Sequence, residues 1–203
     1  MLEQLSALDR KLFIWLNSFG SETWDPLWLI ITKQISWIPV FALVIYLAFK
    51  RLGWKHALMV VGLIGLLVLV TDQATNLIKN SVHRLRPGNN PEIAGIIRAV
   101  KKAHSFSFIS GHASNSMAVA FFTYRVLHPY LKYIGFFFLW PLIFAYSRIY
   151  LGLHYPGDIT AGYLFGLLTG WLMLKLYIYL RDRYFPQEEQ LDNPANSKPV
   201  TNG

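Results

Sequence analysis

The chain contains no cysteine, so disulfide bonds do not stabilise it and thiolates take no part in its chemistry. Acidic residues are also scarce, since 11 Asp and Glu stand against 19 Lys and Arg. Hydrolysis by two metal ions needs several clustered carboxylates, whereas the polar motifs described below offer only Asp158, with Asp72 and Glu92 remote from it. The sequence therefore predicts neither a metal site nor another cofactor.

The formal net charge of +8 favours an anionic partner. Nucleic acid is not expected, because the basic residues lie at the ends of apolar runs and form no polar basic face. Hydrophobic residues make up 54% of the 203 residues and lie in long blocks, which is typical of a membrane protein. We therefore expect a chain embedded in a lipid bilayer, with lipid as its partner. The sequence does not indicate an oligomeric state.

Five apolar blocks predict an all-α fold, an integral membrane bundle of about five transmembrane helices. The blocks cover residues 24–49, 56–86, 113–127, 131–148 and 156–180. Residues 2–19 also have helical apolar spacing, but charges interrupt it and too few apolar residues follow to cross a bilayer. This segment predicts an amphipathic interfacial helix, with a sixth span as the alternative. The expected division is an interfacial segment over 1–22, a transmembrane domain over 23–183 and a disordered polar tail over 184–203.

Local features carry three further expectations. Pro39 lies inside the first block and predicts a kink there. The second block ends in polar residues spaced by three or four, which predicts one polar helical face with the helix ending at Pro87. The residues of this face are Asp72, Asn76, Lys79, His83 and Arg86. The long polar connection over 88–109 predicts a short surface helix at 91–101 and a role as a lid or binding loop.

Two spans separate the polar segments 79–112 and 148–158, so both segments are expected on one side of the membrane. When the cations that are candidates for a site are set aside, more Lys and Arg remain on the opposite side. The positive-inside rule then predicts that the polar segments face away from the cytoplasm. The expected location is the cytoplasmic (inner) membrane, with the polar segments on its extracytoplasmic side.

Three of these polar stretches carry groups suited to a phosphate. They supply Lys79, Arg86, Ser110, Gly111, His112, Arg148, His154 and Asp158. Taken singly, each also fits an interfacial cation, a helix cap or a hydrogen-bonded histidine. Together, the cations can stabilise the equatorial oxygens of a transferring phosphoryl group without a metal. Asp158 follows His154 by four residues and can hold the tautomer of its imidazole if a helix starts near Pro156.

In order and spacing these motifs resemble the three-part signature of the type 2 phosphatidic acid phosphatase (PAP2) superfamily, over roughly residues 20–182. One departure is Ile109, where the family usually has a proline before Ser-Gly-His. The resemblance implies metal-independent hydrolysis of a phosphomonoester or pyrophosphate on a lipid through a phosphohistidine. It implies that His154 is the nucleophile, Asp158 activates it and His112 protonates the leaving oxygen. It also implies a phosphate-binding set of Lys79, Arg86, Ser110, Gly111 and Arg148.

The resemblance leaves the substrate open. Undecaprenyl diphosphate is the first choice, and phosphatidylglycerol phosphate, phosphatidic acid and a lipid A phosphate are alternatives. A transporter for phosphate-like anions would share the cations, but it would not need His154 and Asp158 as a pair and would favour internal repeats, which the sequence lacks. A lipid-binding scaffold without catalysis is a third interpretation, and it would not require the two histidines together.

Overall fold

The computed structural model describes residues 2–185, which form an all-α structure without strands and confirm the predicted fold class. Short 3-10 helices at Glu22–Trp24, Gln34–Trp37, Pro87–Asn89 and Ile134–Phe138 connect the longer elements. The α-helices are α1 (Leu2–Asn17), α2 (Asp25–Ile31), α3 (Ile38–Leu52), α4 (Trp54–Val82), α5 (Gly111–Leu127), α6 (Leu139–Tyr150) and α7 (Pro156–Tyr184).

Three segments of the described chain are long and apolar enough to cross a membrane: Gln34–Leu52, Trp54–Asn89 and Pro156–Tyr184. The apolar segment Ile134–Tyr150 and α5 are shorter, and α5 has 17 residues. Helix α5 packs along α7 and also contacts α4 and α6. The more polar α5 therefore lies at the centre of the bundle, where its neighbours shield it from lipid.

Close contact between α5 and α7 depends on glycines spaced by four residues on α7. A Cβ atom at Gly162 would lie 2.8 Å from the carbonyl oxygen of Ser110, and one at Gly166 would overlap the carbonyl of Ser114. Small residues at such spacing let two membrane helices approach closely. The approach brings the start of α5 beside α7, where the Ser110 N–H donates to the Asp158 carbonyl at 3.1 Å.

The first apolar block is not a single helix, so the predicted span over residues 24–49 is wrong in its first half. Helix α2 ends at Ile31, and a 3-10 turn precedes α3. Pro39 stands in the first turn of α3, where its missing N–H breaks no helical hydrogen bond. The predicted kink is therefore wrong. The break places the buried Thr32 against Arg148, which donates to its hydroxyl at 2.6 Å.

The predicted polar face of the second span is correct only as far as the helix continues. Helix α4 ends at Val82, because His83 takes the left-handed conformation with φ 54°. His83 and Arg86 therefore leave the helical face, and Arg86 lies in an extended segment.

The surface helix expected over 91–101 is absent, and turns occupy residues 91–96. Side chain–backbone hydrogen bonds compete with a helix here. Asn90 Oδ1 accepts from the Glu92 N–H at 3.1 Å, and Asn17 Oδ1 accepts from the Arg98 N–H at 2.8 Å. Pro91 and Gly95 further disfavour the helix.

Helix α1 packs onto the polar end of the bundle rather than lying apart from it. Phe13 is fully buried and packs with Ile93, Ala113 and Tyr155. Leu8 and Trp15 on the other face are 63% and 57% exposed. At the opposite end of the chain, α7 continues to Tyr184, so the predicted tail begins with a helical residue. Residues 186–203 of that tail lie outside the described residues.

Candidate active site

The structure brings the three motifs together at one end of the bundle. Arg86 contacts the imidazole of His154, and the backbone of Ser110 is hydrogen-bonded to that of Asp158. Arg86, Arg148, His154 and Asp158 are all buried, with exposed fractions of 5%, 6%, 1% and 0%. Burying two guanidinium groups and a carboxylate is expensive unless they are paired or hydrogen-bonded, so their contacts define the site.

His154 lies in the loop between α6 and α7, next to a carboxylate and a guanidinium. Its Nδ1 atom is 3.5 Å from Asp158 Oδ2, and its Nε2 atom is 3.2 Å from Arg86 Nη1. Burial lowers the pKa of His154 to about 4, although Asp158 opposes the shift. The imidazole is therefore neutral near neutral pH. With the proton on Nδ1, towards Asp158, the lone pair of Nε2 faces the cationic side.

Asp158 is held in place by donors from three separate segments. Its Oδ1 accepts from Arg84 Nη1 at 2.6 Å, and its Oδ2 accepts from the Ser107 hydroxyl and from the Tyr155 N–H. The carboxylate has no exposed surface. These bonds fix the position of the carboxylate that faces His154. Arg84 and Ser107 were not predicted as site residues, although Arg84 stands only two positions before Arg86.

Arg84 also joins the site to the N-terminal helix. Its Nη2 atom donates to Asp9 Oδ2 at 2.8 Å, and Asp9 Oδ1 accepts from the Gly157 N–H at 2.7 Å. The Arg84 guanidinium lies 4.1 Å from the centroid of the Tyr155 ring. Asp9 thus supports both Arg84 and the first turn of α7. The sequence alone identifies Asp9 only as one of the charged residues that interrupt the apolar spacing of residues 2–19.

The two buried arginines are oriented by neutral oxygen atoms. Arg86 donates from Nε to the Ser105 carbonyl at 2.7 Å and from Nη1 to the Leu153 carbonyl at 2.9 Å. Arg148 donates from Nη1 to Thr32, while its buried Nε has no hydrogen-bond partner among the described residues. Because these acceptors are uncharged, they do not neutralise the two guanidinium groups, whose positive charge can therefore attract an anion.

The Ser-Gly-His motif forms the start of α5. Ser110 caps the helix, since its Oγ accepts from the Ala113 N–H at 3.4 Å. A Cβ atom at Gly111 would lie 3.3 Å from Lys79 Nζ, so the absence of a side chain lets the ammonium approach the helix terminus. His112 lies beside Phe144, with ring centroids 5.1 Å apart. A helix N-terminus next to a cation suits an anionic ligand.

Asp72, whose role the sequence left open, lies near this end of the bundle and pairs across two helices. Its Oδ1 accepts from Asn115 Nδ2 at 3.4 Å and its Oδ2 from Asn76 Nδ2 at 3.2 Å. The Oδ1 atom of Asn115 is buried and has no hydrogen-bond partner in the described part of the chain. Within residues 2–185, no group of three His, Asp or Glu side chains is placed to hold a metal ion.

Asp9→Asn is expected to lower kcat about tenfold with little change in KM, because the amide cannot accept from both Arg84 and Gly157 as the carboxylate does. Steady-state kinetics of phosphate release by the purified variant checks this. Glu3→Gln, at an exposed position of the same helix, is the matched control and should behave as the wild type. Unchanged kcat in Asp9→Asn, or a change confined to KM, would show that α1 does not position the carboxylate.

Comparison with known proteins gives a consistent picture. The profile of the PAP2 superfamily matches residues 57–182. A lipid A 4'-phosphatase from Bacteroides thetaiotaomicron is 38% identical over 178 residues, which cover 85% of this chain and 78% of that protein. A lipid A 4'-phosphatase from Porphyromonas gingivalis is 29% identical over 191 residues, covering 90% of this chain and 78% of that protein.

The fold also matches a solved structure. The crystal structure of a transmembrane PAP2 type phosphatidylglycerolphosphate phosphatase from Bacillus subtilis superposes with a TM-score of 0.67 and covers 89% of each chain. Sequence identity in that comparison is 19%, so the likeness concerns the fold alone.

Proposed function

The chain belongs to the PAP2 superfamily, and on that premise we propose that it removes a phosphate group from lipid A through a phosphohistidine at His154. Its class, a membrane phosphatase acting on lipid phosphates, follows from the family match and the relatives. The observation that supports the mechanism most strongly is the buried pair of His154 and Asp158, with Nε2 of the imidazole beside Arg86.

The proposed reaction has two steps, and each conserves atoms and charge. In the first, Nε2 of His154 attacks phosphorus, the bond from phosphorus to the sugar oxygen breaks, and His112 gives that oxygen a proton. In the second, water attacks phosphorus, the bond from phosphorus to Nε2 of His154 breaks, His112 takes a proton from the water, and inorganic phosphate leaves. Asp158 stabilises the positive imidazole during the first step, and the cations hold the equatorial oxygens in both.

Lipid A is supported as substrate by two independent observations. Both relatives described above are lipid A 4'-phosphatases, whereas the family resemblance alone favours undecaprenyl diphosphate. In addition, Asp72 and the unpartnered Oδ1 of Asn115 offer acceptors near His112. A sugar head group has hydroxyl donors for such acceptors, while a polyprenyl chain has none. These acceptors favour a saccharide next to the phosphate.

The test is a phosphate-release panel on purified protein in detergent with EDTA. The four substrates are lipid A, undecaprenyl diphosphate, phosphatidylglycerol phosphate and phosphatidic acid. We expect the highest kcat/KM with lipid A and undiminished turnover in EDTA. A higher kcat/KM with undecaprenyl diphosphate would identify that lipid, and not lipid A, as the substrate. Loss of activity in EDTA that Mg²⁺ restores would overturn the metal-independent mechanism. Absence of release from all four would favour the transporter.

Orientation of the site away from the cytoplasm is a further part of the proposal, supported by the charge bias between the two sides. Lys102, on the site side, and Lys132, after α5, are both exposed, and the chain has no native cysteine. In spheroplasts, an impermeant thiol reagent should label Lys102→Cys and should label Lys132→Cys only after permeabilisation. The reverse pattern would place the site in the cytoplasm.

A further inference from the structure

An apolar cavity of about 330 Å³ begins at His112 and lies between α3, α4, α5 and α6. Most of its lining is aliphatic or aromatic, as for Phe41, Val119 and Phe144. Ile45 and Val68 also line it and are 40% and 38% exposed, so the cavity reaches the surface that faces lipid. A cavity that joins a phosphate site to the bilayer is suited to a hydrocarbon chain attached to the phosphorylated head group.

Polar residues interrupt this apolar lining, and Trp140 and Thr123 are two of them. Trp140 and Thr123 both line the cavity and are 8% and 2% exposed. The indole Nε1 of Trp140 and the hydroxyl Oγ1 of Thr123 are buried without a hydrogen-bond partner in the described residues. Asn115 Oδ1, on the same cavity and one helical turn from His112, is a third such atom. Buried polar groups normally have a partner, so the unpaired donors of Trp140 and Thr123 point to an absent one. Indole N–H is only a donor and a hydroxyl can donate, so the matching group is an acceptor.

We propose that this cavity binds one acyl chain of the substrate, and that Trp140 and Thr123 donate hydrogen bonds to an oxygen atom carried on that chain. The inference rests on the proposed function, because it assumes that the phosphate attached to the same lipid lies at His154. The enzyme would then select an acyl chain with a hydroxyl or ester oxygen along its length.

The depth of the two donors places this oxygen away from the head group. Thr123 lies eleven residues after His112 on α5, which is roughly 16 Å along the helix axis. Trp140 lies eight residues before Arg148 on α6, which is roughly 12 Å. Both donors are therefore two or more helical turns from the phosphate-binding groups. The oxygen they bind belongs to the chain and not to the sugar.

An unsubstituted hydrocarbon chain would fill the same volume but leave both donors unpaired. Sites built to hydrogen-bond a substrate oxygen discriminate strongly against analogues that lack it, because the buried donors then stay desolvated without a partner. Selection between lipid phosphates with similar head groups would thus occur within the membrane. Polyprenyl phosphates, which have no oxygen on the chain, would be disfavoured.

The experiment uses synthetic glycolipid phosphates with one head group and one chain length. Each carries a single hydroxyl at a different position along the acyl chain, and a matched lipid carries none. For the wild type we expect at least one hydroxylated lipid to exceed the plain lipid in kcat/KM by about tenfold. In Trp140→Phe and in Thr123→Val this ratio should fall below about threefold. A ratio between two lipids does not depend on how much of a variant is folded.

Trp171→Phe is the matched control, since Trp171 is 46% exposed on α7 and should keep the wild-type ratio. A wild type that shows no preference at any hydroxyl position would overturn the inference. So would variants that lose activity equally with both lipids, since that result would assign Trp140 and Thr123 a purely structural role. Failure to hydrolyse lipid A, with the hydroxyl preference intact, would refute the proposed substrate and leave this inference standing.

Discussion

The His154→Ala protein is expected to lose phosphate release by on the order of 10⁴-fold or more, with substrate binding largely retained. In the proposed mechanism the imidazole accepts the phosphoryl group, and neither Arg86 nor Arg148 can replace it, since a guanidinium group has no nucleophilic lone pair at neutral pH. Release of inorganic phosphate by purified protein, with lipid A as substrate, gives the result directly.

His104→Ala is the control for this prediction, because His104 is exposed in the loop before the Ser-Gly-His motif and matches no motif position. It should keep nearly all of the wild-type activity. Retention of more than a few per cent of wild-type turnover in folded His154→Ala, as judged by thermal unfolding, would remove this residue as the nucleophile.

The second large effect is expected for Asp158→Asn, with kcat reduced by on the order of 10³–10⁴-fold. Asparagine keeps the shape of the side chain but presents an amide group, which is neutral and donates where the carboxylate accepts. It would weaken the contact with Arg84 and remove the negative charge that stabilises the imidazole during attack. Steady-state phosphate release and thermal unfolding of the same preparation separate this effect from misfolding.

Asp182→Asn is the matched control, because Asp182 lies at the far end of α7 with 51% of its side chain exposed. It should leave kcat unchanged. The same isosteric change at Asp9 should have an effect between these two, as its contact with the imidazole passes through Arg84 and Asp158. An Asp158→Asn enzyme with kcat within tenfold of the wild type would show that the carboxylate does not activate His154.

The sequence predicts that the motifs come together, because this depends on where the apolar blocks and helices begin and end. Each motif lies at the end of an apolar block, and two intervening spans return the chain to the same side. Pro156 begins α7, so the spacing of His154 and Asp158 by four residues places the carboxylate near the imidazole. The residue types then predict a phosphate ligand without reference to tertiary structure.

The residues that support Asp158 and Arg148 could not be predicted in this way. The direction of the chain after α4 depends on the left-handed His83, and the chemistry of the motif does not reveal that turn. Arg84 reaches Asp158 and Asp9 only because the helix ends there. Similarly, Thr32 contacts Arg148 because a 3-10 turn divides the first apolar block into two helices. A hydropathy pattern does not detect such a division when the polar groups at the break are hydrogen-bonded inside the protein.

The N-terminal segment is an integral part of the site, although it lies outside the residues that match the family profile. Asp9 and Thr32 contact Arg84 and Arg148, and Asn17 Nδ2 donates to the carbonyls of Ile149 and Tyr150 at 3.1 and 3.0 Å. The motifs themselves concern only the phosphate. In our proposal the identity of the lipid depends on the cavity and on the acceptors beside His112, which residues from four helices form together.

The most direct test of the central claim is to trap the phosphoryl group on the enzyme. Lipid A labelled with ³²P is mixed with excess purified protein, the reaction is quenched in alkali within one turnover, and labelled peptides are mapped. We predict a transient label on the peptide that contains His154, decaying as inorganic phosphate appears, and no label in His154→Ala. Passage of the label from lipid to inorganic phosphate without a protein-bound fraction, or its attachment to another residue, would contradict the mechanism.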